Sequence, residues 1–120
     1  MKKENPLRDK SYDFALAAVN LCFKLQDEKN EFLLTKQFMR SATSIGANVE
    51  EAIGGQSEKD FLHKISISYK EARESHYWLR LMGDSGLIAE EVKFDLLDKV
   101  EELLRIIGSI QRTIKTKNKL

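Results

Sequence analysis

Three features of the sequence predict an all-α protein, an antiparallel up-down-up-down four-helix bundle. Apolar residues recur every three or four positions through four segments, short polar or glycine-containing stretches separate those segments, and no strand-like alternation competes with them. At 120 residues, 42% hydrophobic and with a single proline, the chain can bury one core but not two. One domain over residues 1–120 is therefore expected, with helices at about 6–26, 32–53, 57–82 and 89–116.

The first helix is expected to take Asn5 as its N-cap and Pro6 as its first residue, where a missing N–H costs nothing. Leu7, Phe14, Ala18, Leu21 and Leu25 mark one face, and Tyr12, Leu16, Val19 and Phe23 mark a second. A helix apolar on two sides is expected to be covered twice, once by its own bundle and once by another subunit. The polar run Asp27 to Asn30 is expected to be the first loop.

The second helix starts at Phe32 or Leu34, with Leu34, Phe38, Ala42, Ile45, Val49 and Ile53 facing inward. Gly54-Gly55 is expected to close it in the left-handed conformation that glycine adopts without a Cβ clash. Ser57 is a good N-cap for the third helix, with Asp60 three residues on in a shorter relative of the capping box. Phe61, Ile65, Tyr69, Ala72 and Leu79 carry its stripe to Met82, and Gly83 is expected to end it. After Asp84-Ser85-Gly86, Leu87-Ile88 is placed to pack as a staple ahead of a fourth helix near Ala89. There Leu96, Val100, Leu103, Ile107, Ile110 and Ile114 follow a 4-3-4-3-4 spacing, the seam of a coiled-coil-like bundle.

Composition narrows the function. The formal charge of +1 gives no global attraction to nucleic acid or anionic lipid. No segment approaches the roughly 20 continuous apolar residues of a membrane span, and no apolar region follows the initial lysines. The lone Cys22 cannot form an internal disulfide, which suits a reducing, cytoplasmic setting. Charge is uneven within the last helix. Glu90, Glu91, Asp95, Asp98, Glu101 and Glu102 crowd its first half, and Arg105, Arg112, Lys115, Lys117 and Lys119 occupy its end. Complementation of the helix dipole accounts for this order; a basic tail touching a phosphate backbone, joined by Lys36, is the alternative.

The tests for catalysis fail. A di-iron bundle needs Glu-x-x-His on two helices, whereas Asp60-x-x-His63 occurs once and His76 has no acid spaced to match. Cys22 lies in the apolar stretch Leu21-Cys22-Phe23, where a thiol behaves as a small core hydrophobe. Gly54-Gly55-x-Ser57 is too short for a phosphate loop and lacks its lysine. No catalytic residue, cofactor or metal is assigned, and the chain is expected not to be an enzyme.

Polar residues at inward or half-inward spacing remain. Arg40, Ser44, Asn48 and Glu51 form one face of the second helix, and Ser66, Lys70, Glu74 and Tyr77 one of the third. With the turn at Gly54-Gly55, antiparallel pairing brings together positions whose numbers sum to about 110. Arg40 then meets Lys70, Glu71 and Glu74, and Asn48 lies near Leu62 and Ser66. An arginine between two glutamates in a partly dry seam would fix register more than it adds stability. A ligand or nucleic-acid contact at this seam is the other reading. Arg40→Ala is expected to disturb the fold or its register.

The segment Arg40-Ser-Ala-Thr-Ser-Ile-Gly-Ala-Asn-Val-Glu-Glu-Ala52, followed by Ser57-x-x-Asp60-Phe61 and by Lys70-Glu-Ala-Arg-Glu-Ser-His-Tyr-Trp-Leu79, resembles a bacterial four-helix-bundle family. That family was first associated with intervening sequences in large-subunit ribosomal RNA genes. The likeness covers roughly residues 10–112. It implies an antiparallel bundle that commonly assembles as a ring-like homopentamer. It also implies kinship with the accessory protein of diversity-generating retroelements, which binds a reverse transcriptase and nucleic acid; near-neutrality sets this chain apart from that relative. The motif positions carried over are Arg40, Ser41, Ser44, Ile45, Asn48, Glu51, Asp60, Phe61, Lys70, Glu71, Glu74, Tyr77 and Trp78, and none resembles a nucleophile paired with a base.

Two functions follow as expectations. One is a homo-oligomeric scaffold or adaptor, ribonucleoprotein-associated, using Tyr12, Leu16, Val19, Phe23, Tyr77 and Trp78 as interface. The alternative is an accessory protein that binds RNA directly through the basic end of the last helix.

Overall fold

The computed structural model describes residues 4–119. Four helices run in chain order: α1 (Pro6–Lys29), α2 (Leu33–Ile53), α3 (Glu58–Asp84) and α4 (Glu90–Asn118). No strand occurs among the described residues. Each helix packs against its chain neighbours, and α1 meets α4 over a smaller area to close the bundle. Contacts between neighbours run in opposite senses. Thr35 near the start of α2 meets Cys22 and Gln26 near the end of α1. Ser41 meets Ser75, and Glu51 meets Lys64. Asp84 meets Lys93, while Ser66 meets Gln111 far along α4. The result is an antiparallel four-helix bundle measuring 52 × 29 × 23 Å.

The core is the set of apolar stripes. Phe14, Ala18, Phe38, Ala42, Ile45, Ile65, Ala72, Leu79, Met82, Val100 and Ile107 are fully buried, each large side chain contributing about 1.5–3 kcal/mol relative to exposure. Phe14 and Phe38 meet edge to face at 6.1 Å across α1 and α2. Among the described residues no helix is long and apolar enough to cross a membrane.

Helix ends depart from the sequence expectation in instructive ways. Asn5 caps α1 by accepting from the Arg8 N–H at 3.0 Å, as expected. The helix continues through Asp27, Glu28 and Lys29 and stops at Asn30, whose φ of 53° is left-handed. Solvent-facing Glu and Lys are good helix formers, so polarity alone did not mark a loop there. Glu31 supplies the cap of α2, its carboxylate accepting from the N–H groups of Leu34 and Thr35 at 2.8–2.9 Å.

At the other end of α2, Ala52 turns inward and Ile53 is 43% exposed, the reverse of the expected inward Ile53. Gly54 closes the helix with φ −81°, not in the left-handed region. Space is tight next door: a Cβ on Gly55 would lie 2.6 Å from the Asp60 carboxylate, which would have to turn aside, and 3.1 Å from the Ala52 carbonyl oxygen. Ser57 caps α3 through the Asp60 N–H at 3.0 Å. Gly83 does not end α3; it is buried one residue before the end, with the Lys93 side chain laid across it. The left-handed glycine of this turn is Gly86, at φ 80°. Ile88 is buried ahead of α4, and Leu87 packs on the core.

Candidate functional site

The α2–α3 seam forms where the paired motifs lie. Arg40 donates to Glu71 at 3.3 Å and also to Glu74, and Glu74 accepts from the Trp78 indole N–H at 3.2 Å. Lys64 bonds Glu51 at 2.9 Å. Asn48 turns back onto its own helix, donating to the Ser44 carbonyl and hydroxyl oxygens. Pairs across the seam have numbers summing to 111–116, close to the expected register. Lys70 stays exposed and joins none of these bonds. The arginine is not in a dry seam: its side chain is 53% exposed, so water screens the pair.

Serines occupy the dry part of the seam, a feature the sequence reading passed over. Ser75 donates to the Ser41 hydroxyl at 2.9 Å, Ser41 donates to the Phe38 carbonyl oxygen, and Ser68 donates to the Ile45 carbonyl oxygen across the interface at 2.8 Å. All three serines are fully buried. Small hydroxyl side chains let α2 and α3 approach closely while leaving no polar hydrogen unpaired. The signal was present in the sequence. The expected α3 stripe left a seven-residue step between Ala72 and Leu79; a 3-4-3-4-3 stripe over 65, 68, 72, 75, 79 and 82 closes it with Ser75 and places Ser68 between Ile65 and Ala72.

The candidate interface residues fall into two groups. On α1, Tyr12, Leu16 and Phe23 are 67%, 49% and 58% exposed, with Val19 half-buried between them. On α3, Tyr77 is exposed and stands edge-on to Trp78 at 5.0 Å. Trp78 is half-buried and held to the seam by Glu74.

The candidate phosphate contacts are scattered. Lys36 lies near the Phe32 ring at 5.9 Å on α2. Arg105 lines an acidic groove with Asp95, Asp98 and Glu102. Lys117 bonds Glu58 at 2.9 Å and holds that carboxyl below the usual range, with Asn118 adding a second hydrogen bond. Arg112, Lys115 and Lys119 are exposed, with no carboxylate partner among the described residues.

No group of three or more metal-ligating side chains is gathered among the described residues. His76 pairs instead with Glu101 at 3.0 Å, tying α3 to α4. Cys22 is buried, its pKa pushed up from 9.0 to about 12 by desolvation and by Glu31, so its thiol is no nucleophile.

Fold and surfaces define an antiparallel helical bundle whose polar residues bridge neighbouring helices. The chain belongs to the 23S rRNA-intervening sequence protein family, whose model matches residues 3–109. It is similar to a protein of unknown function from the S23 ribosomal protein family of Bacteroides thetaiotaomicron VPI-5482, known from its crystal structure. The two are 41% identical with a TM-score of 0.86, over 88% of this chain and 97% of the other. No match was found among curated proteins.

Proposed function

We propose that this protein is a non-enzymatic scaffold or adaptor that acts in the cytoplasm as a homo-oligomer. Family resemblance favours five copies and a ribonucleoprotein setting. The observation carrying the reading is the exposed stripe of Tyr12, Leu16 and Phe23. Single exposed apolar residues are ordinary on a protein surface, but three large ones in register on one helix mark an interaction face. Aromatic side chains anchor interfaces disproportionately. Direct RNA binding through Arg112, Lys115 and Lys119 is the second reading, supported by their lack of carboxylate partners and by the family description. One experiment separates the two: light scattering of the purified protein, read with its 260/280 nm absorbance ratio. The scaffold reading expects a multiple of 13.8 kDa free of nucleic acid, and a monomer at micromolar concentration overturns it. Co-purified RNA whose binding weakens steeply with salt supports the second reading.

A further inference from the structure

We infer that the copies assemble head to tail, with the acid-flanked stripe of α1 in one copy seated on the arginine-flanked face of α3 in the next. The inference rests on the self-assembly reading and adds which two faces meet.

The two faces are alike in their apolar centres and opposite in charge. Around Tyr12, a surface groove of about 380 Å³ is lined by Asp9, Asp13 and Glu50 and by one cation, Arg8. Of these acids only Asp9 has a cationic partner among the described residues, Arg8 at 3.6 Å. On α3, Tyr77 and Leu81 are 48% and 37% exposed. Lys70, Arg73 and Arg80 flank them at helical spacing, and both arginines line a groove of about 680 Å³ with His76 and Tyr77. None of these three cations has a carboxylate partner among the described residues; Arg80 lies near the Tyr77 ring at 5.9 Å. The carboxylates of that groove are already engaged, Glu74 by Arg40 and Trp78, Glu101 by His76. The α3 face therefore carries unmatched positive charge and the α1 face unmatched negative charge.

A two-fold contact of α1 on α1 would set Asp13 and Glu50 against their own copies, and α3 on α3 would set arginine against arginine. Like charges brought together at an interface cost several kcal/mol. Only the heterologous pairing gives each apolar centre an apolar partner and each charge its opposite.

The test uses two full-length variants, Tyr12→Cys and Tyr77→Cys, one carrying a mass tag, mixed and treated with a short bis-maleimide; native Cys22 is buried and spared. Cross-linked pairs containing one chain of each variant are expected, with each variant alone giving few. Pairs of Tyr12→Cys with itself, or no cross-link in a preparation that light scattering shows to be oligomeric, overturn the head-to-tail inference and leave self-assembly standing. A wild type that light scattering shows to be monomeric overturns both. A charge swap guards against cross-linking artefacts. Asp13→Arg and Arg73→Asp should each weaken assembly by about tenfold or more at low salt, and an equimolar mixture should recover part of it; no effect from Arg73→Asp also overturns the inference.

Discussion

Removing the two hydroxyls of the Ser41–Ser75 pair should have unequal effects, because one hydroxyl has a second partner and the other does not. Ser75 donates to Ser41, and Ser41 in turn donates to the Phe38 carbonyl oxygen. In Ser75→Ala, Ser41 keeps its own acceptor and only one hydrogen bond is lost, about 1 kcal/mol. In Ser41→Ala, the buried Ser75 hydroxyl loses its acceptor and must turn to its own helix backbone or stay unpaired, costing about 2 kcal/mol. For a chain of 120 residues each kcal/mol corresponds to about 4 °C in melting temperature. Shifts of about 4 °C and 8 °C are expected by calorimetry at one fixed protein concentration, since assembly makes the melting temperature concentration-dependent. The double variant leaves no orphaned donor and should fall short of the sum by about 1 kcal/mol. Strict additivity, or a larger loss for Ser75→Ala than for Ser41→Ala, would refute the assignment of the pair as a register lock.

Arg40→Ala should cost less than about 1 kcal/mol in denaturant unfolding, because the arginine is half exposed; a loss exceeding that of Ser41→Ala would show the ion pair to be the stronger link. Cys22 should resist alkylation in the native protein at pH 8 and react fully after unfolding. Its folded pKa of about 12 lies above the ordinary value of 9.0. The unfolded chain therefore loses the thiol proton first, and stability present below pH 9 should decline from pH 9 towards 12. Cys22→Ala should flatten part of that decline in a pH series of unfolding midpoints. Replacing a helical glycine with alanine normally gains about 1 kcal/mol, but a Cβ on Gly83 would overlap Lys93 Cδ at 2.1 Å. Gly83→Ala should therefore bring no gain in thermal stability alone and a gain when combined with Lys93→Ala.

Most of the fold was legible because burial in a bundle follows helical spacing. The 4-3-4 stripe from Leu96 to Ile107 is buried as spaced, and side-chain caps at Asn5 and Ser57 set two helix starts. Glycine was the weak guide. Gly83 serves close packing rather than termination, Gly55 makes room for Asp60, and an asparagine rather than a glycine closes α1. At the end of α2, positions 52 and 53 both continue the stripe by spacing, and tertiary packing buries Ala52 and leaves Ile53 exposed. The seam was located correctly and its centre misjudged. Arg40 drew attention because it is charged, yet a long side chain reaches water from a boundary position. Serine is short enough to be sealed in, and spacing alone distinguishes such a serine from a surface one. The outer stripe of α1 was legible because two apolar faces on one helix exceed what a single bundle covers.

Sedimentation velocity of the wild type beside Leu16→Glu tests the central claim most directly, since Leu16 is exposed within the α1 stripe and lies outside the buried core. The wild type should sediment as one species of several times 13.8 kDa, and Leu16→Glu should shift towards the single-chain mass while its helical circular dichroism is unchanged. A wild type that sediments as a single chain at micromolar concentration, or a variant whose mass does not change, would contradict the account.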